Sequence, residues 1–405
     1  MRIVIAGQTY YPGNNGQAVF TIRLAEGLAK LGHDVAMIVP AEEFRTRRAV
    51  KNGVLVLSIA ALHLKNLHDN AYFPPAPMGA IKKLFKTFKP DIVHLQDHYP
   101  LSRVVYQVAK KHRVPVMGTN HFLPENVMPY LPIPQKLHGV TKWLLWYSVL
   151  SLYNKLDYVT TPTATAASII RGQALRVPVK PVSCGVDIQR FHPDTADSHT
   201  EMRLKYGLSP KKTILFYVGR IDAEKRLDVM IRALKKLGRT DVQFAIAGKG
   251  EHRPALEALT AELDLAEQVA FLGFVPDDDL PALINSIDIF AMPSEAELQS
   301  IATLEAMASG KPVIAANARA LPELVETGVN GYLFRAGDIA DATHGLQTLL
   351  DHRADWVKLG AASREKAQPH GLENTIRRYE SLYFQLNPNA QPVKHRIDKK
   401  GWVSI

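Results

Sequence analysis

Thr213-Ile214-Leu215-Phe216-Tyr217-Val218-Gly219-Arg220-Ile221-Asp222-Ala223-Glu224-Lys225-Arg226 is the stretch on which the fold turns. A short apolar, partly β-branched run reads as a buried strand, and it passes without a spacer into a glycine and a charged turn. In a parallel sheet, ligands bind at the carboxyl ends of strands, so a strand that empties into such a loop marks a βα unit and a candidate site together. Downstream the pattern recurs, with strands expected at Val242–Ala247, Val269–Leu272, Ile287–Met292 and Pro312–Ala315. Upstream it recurs again at Arg2–Ala6, Val35–Val39, Val54–Ser58, Ile92–Leu95, Val114–Gly118 and Tyr158–Thr161, with amphipathic stretches such as Ala18–Leu31 and Met78–Phe88 between them. Short β-branched runs alternating with longer helical periods predict parallel sheets with crossover helices.

A chain of 405 residues exceeds one ordinary core, and two domains of about 150–200 residues are the natural division. The turn-rich segment Cys184 to Pro210 separates them. The expected domains are 1–184 and 185–370, with a helix over 371–386 crossing back onto the first, and a basic polar tail over 387–405. The lone cysteine, Cys184, excludes an intramolecular disulfide and with it a need for an oxidising compartment. The apolar start Met1 to Gly7 lacks the length and cleavage site of a signal peptide, and no apolar run reaches spanning length. A cytoplasmic protein is expected.

Charge is unevenly placed. Residues 1–183 hold 22 Lys and Arg against 9 Asp and Glu, a net of +13, while 184–405 hold 27 against 30, a net of −3. A basic half predicts an anionic partner such as lipid headgroups, nucleic acid or a phosphorylated acceptor, against the alternative of ordinary solvated lysines.

Three loops could carry chemistry. The first, Gly7 to Gln17, opens a helix at Ala18 with glycines that let backbone N–H groups approach a phosphate; its spacing is not that of a dinucleotide fingerprint. In the second, after Gly219, Arg220 and Lys225 stand five apart and suit a diphosphate that departs as an anion; a solvated helix start is the alternative. The third is Pro293-Ser294-Glu295-Ala296-Glu297-Leu298-Gln299-Ser300-Ile301-Ala302-Thr303-Leu304-Glu305. Here the N–H groups from Gln299 to Ala302, including Ser300 and Ile301, are the unpaired donors of a helix start. A sugar diphosphate fits, with Glu297 reaching sugar hydroxyls and Glu305 a ribose diol; carboxylates that merely stabilise the helix dipole are the alternative.

Val218-Gly219-Arg220-Ile221-Asp222-Ala223-Glu224-Lys225, then Ile246-Ala247-Gly248-Lys249-Gly250, then Phe271-Leu272-Gly273-Phe274-Val275, then the Glu297/Glu305 pair with Ala306-Met307-Ala308-Ser309-Gly310-Lys311-Pro312-Val313 closely resemble glycosyltransferase family 4. The resemblance runs from Met1 to about Leu386 and implies an α/β, GT-B fold: two Rossmann-like domains with parallel sheets facing across a cleft. It implies a retaining hexosyltransferase whose nucleotide-diphosphate sugar, UDP-glucose favoured, sits mainly on the second domain. By the same resemblance Arg220 and Lys225 bind the diphosphate, Glu297 the sugar and Glu305 the ribose. Phe274 and Val275 meet the base, Gly16 lies beside the diphosphate, and His121 contacts the sugar. Two departures stand out: Asn15-Gly16 replaces the family's Gly-Gly, and Gln299-Ser300 replaces its aromatic-Gly. By residue type alone His121, after the strand ending at Gly118, is a candidate base or a buried structural histidine, and Glu125 is a local acid that could orient it or an acceptor.

No metal and no other cofactor is expected: Asp277-Asp278-Asp279 precedes a helix and reads as an N-cap with first-turn acids, and no His/Cys set has ligand spacing. For the acceptor, Lys82, Lys83, Lys86 and Lys89 surround an apolar stripe of Ile81, Leu84, Phe85 and Phe88, and Trp143, Trp146 and Tyr147 follow Lys142. Both segments fit basic amphipathic helices resting on an anionic membrane, or core helices with a solvated basic face. Lipid-glycosylating family members such as diacylglycerol glucosyltransferases and phosphatidylinositol mannosyltransferases share this design. The expectation is a peripheral enzyme on the inner face of the membrane with a lipid acceptor such as diacylglycerol. A soluble metabolite or glycan acceptor and a nucleotide-sugar isomerase or hydrolase are the rivals; a nucleic-acid partner is not expected, since no reading module is present.

Overall fold

A computed structural model of the chain describes residues 1–8, 16–64, 72–128, 133–194 and 199–390. Most of the first glycine loop (9–15, with Asn15) and most of the tail (391–405) lie outside the described residues. The described chain divides into two compact units: one takes 1–124, 133–183 and 373–390, the other 125–128 and 184–372.

The first unit follows β1 (Arg2–Ala6), α1 (Gly16–Lys30), β2 (Asp34–Pro40), β3 (Arg47–Lys51), β4 (Val54–Ile59), β5 (Leu62–His63), β6 (Tyr72–Phe73), α2 (Met78–Phe88), β7 (Ile92–Leu95), α3 (Pro100–Lys111), β8 (Val116–Thr119), α4 (His138–Tyr153), β9 (Tyr158–Thr161), α5 (Ala164–Arg171) and β10 (Val179–Pro181). Its main sheet runs β10-β9-β8-β7-β1-β2-β4-β3. All neighbours are parallel except β3 and β4. Strands such as β7 and β8 are buried along their whole length, as helices on both faces of a parallel sheet require.

A last helix, α13 (Leu372–Leu386), joins this unit from Glu373. Its Tyr383 hydroxyl lies 2.8 Å from His94 Nδ1, and its Tyr379 hydroxyl lies 3.3 Å from Thr119 Oγ1 and 3.2 Å from Thr160 Oγ1. Glu380 meets His33 at 2.9 Å. Gly27 lets this helix pack closely, because a Cβ there would come within 2.1 Å of Ile376 Cδ1 and oblige that side chain to shift.

The second unit follows α6 (His199–Lys205), β11 (Thr213–Val218), α7 (Leu227–Leu237), β12 (Val242–Ala247), α8 (Arg253–Glu262), β13 (Val269–Gly273), α9 (Leu280–Ser286), β14 (Ile289–Met292), α10 (Ile301–Ala308), β15 (Val313–Asn317), β16 (Gly331–Arg335), α11 (Ile339–Asp351) and α12 (Trp356–Ala367). Its six strands run β13-β12-β11-β14-β15-β16, all parallel. The order reverses between β11 and β14, the topological switch point at which such sheets bind ligands.

Three strands of the main sheets escape the sequence reading: β3, β10 and β16. In β3 every second residue is exposed and three of five are Lys or Arg, the disguise of an edge strand. The two basic helices also separate. In α2, Ile81, Leu84, Phe85 and Phe88 face the core, while Lys82, Lys83 and Lys86 face solvent. It is a core-packed helix, and Phe85, 1% exposed, has nothing to insert into a membrane. In α4, Trp146 also turns inward, 9% exposed and edge-on to Phe122, so its expected place on a membrane face is corrected. Trp143, at 63%, is exposed instead.

Candidate active site

The carboxyl ends of β11 and β14 bring the second and third loops together. Glu295 N–H donates to the Glu224 carbonyl (3.2 Å), stitching the two loops. Arg226, in a left-handed conformation with φ 50°, reaches Glu295 at 2.5 Å and Asp228 at 3.2 Å. Between these ties, Lys225 Nζ meets Glu297 Oε1 at 2.6 Å, both side chains largely buried. Arg220 pairs with Asp222 and, at 3.2 Å, with Glu224. Burial raises the Glu224 carboxyl above its ordinary range, although the Lys225 and Arg220 charges oppose the shift. Tyr217 donates to the Arg220 carbonyl at 2.7 Å, and burial holds its phenol well above its ordinary value.

The Ile246-Ala247-Gly248-Lys249-Gly250 run has a packing reason. The loop after β12 lies directly on the backbone after β11: Gly219 N–H bonds Ala247 O (3.1 Å) and Ile221 N–H bonds Lys249 O (2.9 Å). A Cβ at Gly248 would sit 1.8 Å from Gly219 O, and one at Gly250 would sit 2.2 Å from Ile221 O. These glycines let two strand-end loops touch, which fixes the turn that carries Arg220 and Lys225.

At the start of α10, Ser300 is the N-cap; its Oγ accepts from Thr303 N–H at 3.1 Å. The preceding first-turn N–H groups, at Ile301 and Ala302, are beyond the reach of helix carbonyls. The Gln299 side chain engages the backbone at Cys184: its Oε1 accepts from Cys184 N–H at 2.7 Å. Glu305 lies two-thirds of the way along the helix and is buried. Beyond β13, Phe274 is 64% exposed with Lys249 Nζ 5.7 Å from its ring centroid, and Val275 is half-buried.

Asp277–Asp279 forms a short 3-10 turn, and Asp279 stands at the expected N-cap position of α9 but makes no side-chain capping bond. Asp279 instead accepts from Lys205 (2.7 Å) and Tyr206 (2.6 Å), and Asp277 pairs with Arg190 (2.7 Å). Among the described residues no group of three or more His, Cys, Asp or Glu is placed to hold a metal ion.

In the first unit, Gly16 is the exposed first residue of α1. His121 follows β8, its Nε2 3.2 Å from Gln96 Oε1 and its ring 5.2 Å from that of Phe20. Burial depresses this imidazole to about 3, so it is neutral at physiological pH and offers a hydrogen bond rather than a charge. Glu125, which belongs to the second unit, pairs there with Arg319 at 3.4 Å.

Asp97, after β7, was not singled out by sequence. Its carboxylate accepts from Gln8 N–H, from Tyr99 N–H (3.1 Å) and from Ser102 Oγ (2.6 Å). It thereby joins the loops after β1 and β7, the switch point of the first sheet. The run Gln96-Asp97-His98 at a strand's carboxyl end was the available signal.

Two α/β units with the strand order and charged switch-point loops described here define the GT-B class of glycosyltransferase. A family profile described as Glycosyl transferases group 1 matches residues 198–366, and one described as Glycosyltransferase Family 4 matches residues 14–190. The D-inositol 3-phosphate glycosyltransferase of Mycobacterium marinum is 30% identical over 89% of this chain and 79% of its own length. The sulfoquinovosyl transferase SQD2 of Arabidopsis thaliana is 30% identical over 70% of this chain, which spans 54% of that relative. The alpha-monoglucosyldiacylglycerol synthase of Streptococcus pneumoniae is 23% identical over 95% of this chain and 86% of its own length. Among solved structures, sucrose-phosphate synthase from Thermosynechococcus elongatus shares the fold with a TM-score of 0.79 at 19% identity, over 96% of this chain and all of that one. The chain belongs to glycosyltransferase family 4 and is a glycosyltransferase.

Proposed function

We propose that this enzyme is a retaining hexosyltransferase that takes its sugar from a nucleotide diphosphate, UDP-glucose in the favoured case. The observation that carries the reading is the Lys225–Glu297 pair at the β11/β14 switch point, beside the amino end of α10. Lys225 and Arg220 are the cations for the departing diphosphate, assisted by the first-turn amides of α10. With these charges in place no divalent ion is needed. Glu297 binds the hydroxyls of the transferred sugar, Glu305 the ribose, and the backbone at Phe274 and Val275 the base. The family resemblance assigns Gly16 to the diphosphate and the neutral His121 to the sugar.

Retention follows if the acceptor hydroxyl attacks from the face that the diphosphate leaves. The departing phosphate takes the hydroxyl proton, and the sugar passes through an oxocarbenium-like state, with no covalent sugar–enzyme intermediate. The acceptor in this reading is a membrane lipid such as diacylglycerol, and the enzyme is peripheral on a membrane's cytoplasmic side. The basic first half and the Streptococcus pneumoniae relative support this. A second reading, a soluble phosphorylated polyol as acceptor, is favoured by the Mycobacterium marinum relative. Sugar transfer from a panel of nucleotide sugars to micellar diacylglycerol, run beside an inositol phosphate, distinguishes them.

A further inference from the structure

Five large apolar side chains stand exposed on one helical segment: Leu137 (46%), Val140 (57%), Trp143 (63%), Leu144 (53%) and Tyr147 (61%). Steps of three and four residues put them on a single face of α4 and the turn before it, opposite the inward Trp146, Val149, Leu152 and Tyr153. Trp143 and Tyr147 stack at 5.7 Å. A contiguous apolar face of this kind signals a partner. Along the chain the charge of this segment is positive as far as Lys155, with exposed Asp157 two residues beyond. From Asn126 to Lys155 there is no Asp or Glu, and none within α3. Exposed Lys136 precedes the stripe and exposed Lys155 follows it. Alongside, Lys155 joins Tyr106, Gln107, Lys110 and Lys111 in lining an open groove. The α3 side is fixed against α4, since Tyr106 bonds the Lys155 carbonyl (3.3 Å) and Arg103 bonds Ser148.

We propose that this face, α4 with the carboxyl end of α3, docks on an anionic phospholipid bilayer, a proposal that rests on the lipid-acceptor reading above. Trp143, Leu144 and Tyr147 enter the headgroup boundary, where amphipathic aromatic rings are favoured. Lys110, Lys111 and Lys155 meet the lipid phosphates. Exposed aromatics in a segment whose charges from 126 to 155 are all cationic fit a surface that is apolar within and anionic at its rim. The lysines of α2 lack this apolar companion and are an ordinary solvated face.

The test is co-sedimentation of the full chain with vesicles of phosphatidylcholine alone or with phosphatidylglycerol, in low and physiological salt. Wild type should bind the anionic vesicles. Trp143→Ser/Tyr147→Ser and Lys110→Glu/Lys111→Glu should each weaken binding about tenfold or more, while both keep wild-type UDP affinity as a check on folding. Lys82→Glu/Lys86→Glu should change binding less than either. Vesicle binding unchanged in the first two variants overturns the proposal, as does an equal loss in the α2 variant. A dimer in light scattering that Trp143→Ser/Tyr147→Ser dissociates also overturns it, by making a second copy the occupant. Transfer to diacylglycerol in detergent micelles is assayed separately. Transfer with unaltered vesicle binding sinks the docking face alone; α4-dependent binding without transfer to lipid sinks the acceptor reading alone.

Discussion

Lys225 Nζ lies 2.6 Å from Glu297 Oε1, joining the loops that follow β11 and β14 across the point where the strand order reverses. Each charge neutralises the other, so neither is left uncompensated where water is scarce. In the proposed function, an arriving diphosphate would compete with Glu297 for Lys225 and free the carboxylate to accept from sugar hydroxyls. On this account donor binding exchanges one set of ionic partners for another.

Substitutions on the two sides of the pair therefore differ. Lys225→Ala removes a cation from the diphosphate and should weaken UDP binding by about 10- to 100-fold, the range for hydrogen bonds to charged groups. Glu297→Gln releases Lys225, so UDP should bind at least as tightly while turnover falls by about 100-fold. Calorimetric titration with UDP and initial rates check both. The two effects should not add in the double variant, since the residues touch.

Gly248→Ala tests the scaffold beneath that pair. At φ 134° and with its Cβ 1.8 Å from Gly219 O, the alanine displaces the loop after β11. A loss of about 2–4 kcal/mol in the stability of the second unit is expected, read as a lower thermal midpoint together with weakened UDP binding.

How far the sequence carried the reading depends on where each residue's partner lies. Strand β12 and the Gly248/Gly250 run were legible because a strand buried on both faces is a continuous apolar run and its tight loop needs glycine. Strand β3 was not, because an exposed edge carries the composition of a loop. Helices α2 and α4 looked alike as basic amphipathic segments; which side of α4 is covered depends on partners such as Phe122, 24 residues upstream of Trp146 on its inward face. Gln299 was read by its place at a helix start, yet its side chain is claimed by Cys184, 115 residues away. Asp97 was missed for the same reason, since its meaning comes from Gln8, 89 residues earlier.

His94 gives a pH prediction with a definite sign. Burial lowers its imidazole to about 3 from an ordinary 6.5, so the unfolded chain binds the proton first as pH falls. The stabilising difference is complete above the ordinary value and is lost progressively below it, at about 1.4 kcal/mol per pH unit until the folded-state value is reached. The thermal midpoint of the first unit should fall between pH 6.5 and 4, and His94→Gln, though less stable at pH 7, should show a shallower fall.

Chelation tests how the diphosphate charge is met. If Arg220, Lys225 and the start of α10 do so, as proposed, excess EDTA should leave the transfer rate within about twofold, well below the tenfold or greater loss that removal of one charge-assisted contact brings. A rate abolished by EDTA and restored by Mg²⁺ or Mn²⁺ would overturn this assignment.

The central claim is that this family 4 enzyme transfers a hexose from a nucleotide sugar with its configuration kept. Proton NMR of the product formed from UDP-glucose and diacylglycerol reads it most directly. The account predicts an anomeric proton of the α configuration, the one carried by the donor, and loss of that signal in Lys225→Ala at donor concentrations that saturate the wild type. A β-configured product, or no transfer from any nucleotide sugar to any acceptor tried, would contradict it.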